Sequence, residues 1–104
     1  MTITINIQDA NSNSAEAANW WESAEDHRFA LEVLQLPLRR KMLSFIAGEV
    51  RSNEQMAKEL DLGVALAEYH LQMLEKALVI ERTEGGWRAT TTGLLYMKNG
   101  EARS

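Results

Sequence analysis

From residue 24 to residue 78 the apolar side chains recur at steps of three and four, and then the spacing drops to two around Gly85 and Gly86. That single change of period constrains the fold most, because amphipathic helices must come first and one short β-hairpin must follow them. With 104 residues the chain can fill one hydrophobic core, so helices and ribbon must share it.

The local punctuation divides the helical part. Ser14 ahead of Ala15, Glu16, Ala17 and Ala18 reads as a helix start, and Ser23 with Asp26 three positions on reads as a second one. Phe29, Ala30, Val33, Leu34 and Leu36 give the next helix a sticky face. Pro37, the single proline, suits the first turn of a new helix whose face is Leu38, Met42, Phe45 and Ile46, with Arg39, Arg40 and Lys41 mostly elsewhere and Gly48 as its stop. Ser52 and Gln55 have the spacing of a capping box opening a short helix through Met56, Ala57 and Leu60. Asp61, Leu62 and Gly63 make a tight turn into a helix over 64–77, with Ala67, Leu71, Leu74 and Leu78 as its buried stripe. Strands over 79–83 and 87–91 flank Gly85 and Gly86, expected as the two-residue turn, and Thr90 caps a last helix.

The expected architecture is mainly α with a small β-hairpin wing, a winged helix-turn-helix over 24–98. Residues 1–23 read as an acidic polar leader, partly disordered or serving as a dimerisation helix, and 99–104 as a tail. In the leader, Ile3, Ile5 and Ile7 alternate with polar residues at the period of a strand.

Composition excludes several function classes. No cysteine is present, which removes disulfides and thiolate chemistry and suits a reducing cytoplasmic location, and two histidines are too few for a structural zinc site. No apolar run is long enough to span a bilayer, no export signal opens the chain, and no membrane partner is expected. No nucleophile with its base, phosphate-cradling loop or zincin spacing occurs, so neither catalysis nor a cofactor is expected. The net charge of −4 is unevenly spread: residues 1–26 carry −5 with no Lys or Arg, which leaves the body at +1. A near-neutral body can bind a polyanion only if its few cations share a face.

The segment 36–43 (LPLRRKML) and the run 48–80, above all 68–80 (EYHLQMLEKALVI), resemble the arsenic-repressor-like (ArsR-like) winged helix-turn-helix transcriptional regulators. The threonine-capped segment 90–95 is similar to the last helix of these and of the multiple-antibiotic-resistance-like proteins. The resemblance covers residues 28–98 and implies a homodimer that places its third helix in a DNA major groove and controls transcription. The sequence departs from the family pattern at the start of that helix. Gly63, Val64, Ala65 and Leu66 stand where small hydroxyl residues are common, and Glu68 follows one turn in.

At 100° per residue, Ala65, Tyr69, Gln72 and Lys76 point away from the buried stripe. Gln72 suits an adenine edge, Ala65 a thymine methyl, Tyr69 a phosphate oxygen and Lys76 a phosphate charge. Glu68 either accepts from a cytosine amino group, which narrows specificity, or repels the phosphates. Ser52, Asn53 and Lys58 on the preceding helix, with Arg82 and Arg88 on the ribbon, are the candidate backbone contacts. Trp20, Trp21, Phe29, Leu94, Leu95 and Met97 are the candidate dimer surface. His70 reads as a helix-flank residue bonded to a neighbour rather than a metal ligand, and Trp87 as the ribbon's apolar anchor. The alternative reading is a winged-helix interaction module that meets a protein, not DNA, through Val64 to Leu66.

Overall fold

The computed structural model describes residues 21–103, with the side chains of 100–103 left aside. Helices α1 (Ala24–Val33), α2 (Pro37–Gly48), α3 (Asn53–Leu60) and α4 (Val64–Lys76) precede strands β1 (Ile80–Thr83) and β2 (Gly86–Ala89), and α5 (Thr91–Arg103) closes the chain. The order and the hairpin are those expected of a mainly helical fold with one β-wing. The expected helix start at Ser14, the Ile3, Ile5, Ile7 alternation and Trp20 lie outside the described residues.

Each helix begins where local chemistry satisfies its free N–H groups. Ser23 Oγ accepts from Asp26 N–H at 2.9 Å, with Glu25 and Asp26 in the first turn facing the positive end of the α1 dipole. Pro37 opens α2. At α3 the capping box is complete, since Ser52 Oγ accepts from Gln55 N–H at 3.1 Å and Gln55 Oε1 accepts from Ser52 N–H at 2.8 Å. Thr90 Oγ1 accepts from Gly93 N–H at 3.0 Å and donates to Leu78 O at 2.7 Å, fixing the start of α5 to the end of α4.

The helix ends differ from the sequence reading. Gly48 stays inside α2, and Glu49 stops the helix by turning extended at φ −170°. The left-handed stops fall on Asp61 (φ 57°) and Leu78 (φ 69°). In each case the residue after the stop donates five positions back, Leu62 N–H to Ala57 O at 2.9 Å and Val79 N–H to Leu74 O at 3.3 Å, and the carbonyls that end the helix are satisfied. Leu78 is therefore not the last residue of the buried stripe. The reversal turns its side chain outward to 46% exposure, while Ala77, Val79 and Ile80 are buried in its place. Left-handed backbone costs a leucine about 1–2 kcal/mol.

One core joins the elements: Ala30 and Val33 of α1, Met42, Leu43 and Ile46 of α2, Met56 of α3, Ala67, Leu71 and Leu74 of α4, and Trp87 of β2. Trp21 belongs to it as well. Its indole is buried, donates from Nε1 to Ala77 O at 2.6 Å and stacks on His27. The packed unit thus reaches back to Trp21, which is committed to its own chain rather than held for a partner subunit.

The wing is a two-stranded antiparallel ribbon in which Arg82 faces Trp87 and Thr83 faces Gly86. The turn residues are therefore Glu84 and Gly85, one position earlier than the glycine pair suggested, with the positive φ of 91° at Gly85. Gly86 has another task. Arg51 and Trp87 exchange both main-chain hydrogen bonds, at 3.1 and 2.8 Å, adding a one-residue third strand. A Cβ on Gly86 would lie 2.2 Å from Arg51 O.

Two glycine substitutions should separate these roles. Gly48→Ala, in a helix with nothing within 4 Å, is expected to raise stability by about 0.5–1 kcal/mol. Gly86→Ala is expected to lower it by about 3 kcal/mol through strain at φ 145° and the clash with Arg51. Urea unfolding midpoints measure both.

Candidate nucleic-acid interface

The side of α4 opposite its core stripe is open. Ala65, Tyr69, Gln72 and Lys76 are exposed, Tyr69 to 52%, whereas Ala67, Leu71 and Leu74 are fully buried. Glu68 is half-buried on the flank. Gly63, the residue before α4, gives no side-chain cap, so the first-turn N–H groups have no side-chain acceptor. Val64 and Leu66 stand 45% and 48% exposed beside them, an apolar beginning to an otherwise polar stripe.

Beside α4, Ser52, Asn53 and Arg82 line one surface hollow between the start of α3 and the wing, with Trp87 as its floor. Each is already engaged. Ser52 Oγ caps α3, and Asn53 Oδ1 accepts from Trp87 Nε1 at 2.7 Å, which uses the acceptor of that amide and not its N–H₂ donors. Arg82 lies over the Trp87 ring, 4.4 Å from its centroid, with Nε 3.9 Å from Glu75 Oε2. Lys58 borders a second hollow with Arg51, Gln55 and Glu59.

Arg88 does not join this group. Glu81 and Arg88 are cross-strand partners, as are Arg82 and Trp87, and adjacent residues of a strand face opposite ways. Arg82 accordingly faces the body with Trp87, and Arg88 lies on the outer face, donating from Nε to Glu81 Oε2 at 2.7 Å. The two wing arginines thus do not grip from one side. Of the residues expected at a dimer surface, Leu94 is 47% exposed, and Phe29, Leu95 and Met97 are half-buried, Phe29 and Met97 against the chain's own core.

Arg39 is the side chain beside this face whose place the sequence did not reveal. Read in the sequence as lying mostly off the apolar face with Arg40 and Lys41, it is buried to 7% exposure under α4. Its Nε donates to His70 Nδ1 at 3.0 Å, its Nη1 donates to Val33 O at 3.4 Å, and its guanidinium lies 5.7 Å from the Tyr69 ring centroid. The Tyr69 and His70 rings meet edge to face at 5.2 Å. The exposed tyrosine on the open side of α4 is thus braced by a buried cation and a neutral imidazole. Next to it, Arg40 donates to Leu34 O and Gln35 O, closing the end of α1.

Burial, and then the positive Arg39, hold the His70 pKa below the ordinary imidazole value. The hydrogen bond agrees, since Nδ1 must be unprotonated to accept it. Among the described residues no three His, Asp or Glu side chains gather to hold a metal ion, and no helix is long and apolar enough to cross a membrane.

No protein-family model matches the chain, and neither does any curated protein.

The His70 geometry gives a pH dependence of stability. Below its unfolded pKa the unfolded chain takes up a proton that the folded chain resists, so stability is present at neutral pH and is lost as pH falls. The urea midpoint is expected to drop between about pH 7.5 and about pH 5.5, and to drop less in His70→Gln, which keeps an acceptor for Arg39 without titrating. Equal drops in the two proteins would assign the loss to other groups.

Proposed function

We propose that this chain binds duplex DNA as a homodimeric transcriptional regulator, with α4 in the major groove and the wing beside it. The observation that carries the reading is the open stripe Ala65, Tyr69, Gln72 and Lys76 on a helix that follows α3 through a tight turn. A single helix fits the roughly 12 Å width of the major groove, and the side chains on its outer face reach base edges and phosphates there. Gln72 has the amide geometry for an adenine edge, Lys76 neutralises a phosphate, and Tyr69 bonds a phosphate oxygen from its braced position. Ser52, Asn53 and Arg82 offer a hydroxyl, an amide and a guanidinium to the backbone beside the groove.

The exposed Leu94, with half-buried Phe29, Leu95 and Met97, supplies the surface for the second subunit, which gives a two-fold related pair of α4 helices and a two-fold symmetric site. A DNA partner agrees with the cytoplasmic location that the cysteine-free composition suggests.

One observation favours a second reading, contact with a protein. Val64 and Leu66 expose apolar surface at the leading end of α4, where DNA contacts call for donors. Salt separates the two, because phosphate binding weakens steeply with ionic strength and an apolar contact hardly responds.

On a site selected from random duplexes, Lys76→Ala is expected to weaken binding to every sequence alike and to reduce the salt slope by about one per subunit. Gln72→Ala is expected to cost about 1–3 kcal/mol and to relax the preference at one base pair. Fluorescence anisotropy across a salt series reads both, and affinity indifferent to salt would turn the assignment toward a protein partner.

A further inference from the structure

The charge distribution about α4 and the wing is unusual for a surface that meets phosphates. Residues 49–88 hold five Lys and Arg against eight Asp and Glu, a balance of −3, while the positive excess of the body sits earlier, in 27–48. The arginines of the first segment are each paired within the chain. Arg51 Nη1 lies 3.5 Å from Glu59 and its Nε 3.9 Å from Glu49, Arg82 lies 3.9 Å from Glu75, and Arg88 lies 2.7 Å from Glu81. Lys58 and Lys76 have no ion pair among the described residues.

We propose that Glu59, Glu75 and Glu81 are specificity-determining residues that hold these arginines in internal pairs and so suppress sequence-independent attraction to DNA. The inference rests on the DNA-binding reading and adds the physical origin of its selectivity. Non-specific affinity comes almost wholly from neutralised phosphates and released counterions, whereas specific affinity adds contacts to base edges. A surface with a net negative balance gains little from phosphates alone, and a wrong sequence, offering nothing else, is rejected.

Glu75 shows the arrangement most directly. It lies on α4 next to Lys76 and one turn beyond Gln72, and it reaches the wing arginine that Trp87 supports from the other side. Arg82 is thereby aimed and partly neutralised by the element that reads the bases. Exposed pairs of this kind add little to stability, so removing the carboxylate frees the cation without unfolding the protein.

The test compares the native chain with Glu75→Gln, Glu81→Gln and the triple variant that adds Glu59→Gln, on a selected site and on a random duplex at about 50 mM salt. Glu32→Gln, on α1 and outside this segment, makes the same change of charge elsewhere. Random-duplex affinity is expected to rise roughly fivefold per carboxylate removed, selected-site affinity to rise less, and the ratio between them to fall, with Glu32→Gln near the native values. Unchanged random-duplex affinity in the triple variant, beside intact binding of the selected site, would overturn the inference and leave the DNA reading standing. An equal rise with Glu32→Gln would also overturn it, since overall charge would then be the cause. If neither the native chain nor the triple variant bound any selected duplex, the DNA reading would fall, and the inference with it.

Discussion

The wing is held to the helices through two buried side chains, Ile80 of β1 and the indole of Trp87 of β2, and Trp87 carries the polar part of the attachment. Its main-chain N–H and C=O both bond to Arg51, its ring N–H bonds to Asn53, and Arg82 lies over its ring. A two-stranded ribbon is marginal by itself in water, so its position must come from what it packs against. Trp87 supplies apolar area for the core and a polar edge for the start of α3, and the ribbon is consequently placed beside α4 rather than left to swing.

A second constraint runs beneath α4. A buried guanidinium without a carboxylate would ordinarily be costly, and Arg39 is made tolerable by a carbonyl, an imidazole nitrogen and an aromatic ring. These three partners come from α1 and α4, while Arg39 itself is on α2, so one cation ties three helices at the point where Tyr69 emerges. His70 contributes as an acceptor, which explains both its neutral state and its place beside a tyrosine of the outer face.

What could be read in the sequence is what depends on near neighbours. The capping box at Ser52 and Gln55, the cap at Thr90 and the proline opening α2 involve residues at most three apart, and the helical period marked the open side of α4 from Ala65 to Lys76. The opposite facing of Arg82 and Arg88 was also implicit, because any two-residue turn at these glycines puts them on different sides of the ribbon. Contacts between distant segments were not legible. Arg39 looks like its exposed neighbours until His70 is brought to it, and Arg51 has no strand pattern because its strand is one residue long. Gly86 gave no hint of that bridge, because a glycine pair reads equally well as the two central residues of a hairpin turn. Leu78 misled because the helical period ran on past the place where the backbone turns left-handed.

That reversal at Leu78 has a mechanical consequence. Over three residues the chain leaves α4 with its last carbonyls satisfied, hands Leu78 O to the Thr90 hydroxyl and Val79 O to Thr90 N–H, and lets Gly93 press against Val79. No slack is left at the junction where α4, the ribbon and α5 converge. The closing helix therefore cannot change direction by itself, and any tilt of α5 must carry the end of α4 and the root of the ribbon with it, as arms of one bracket.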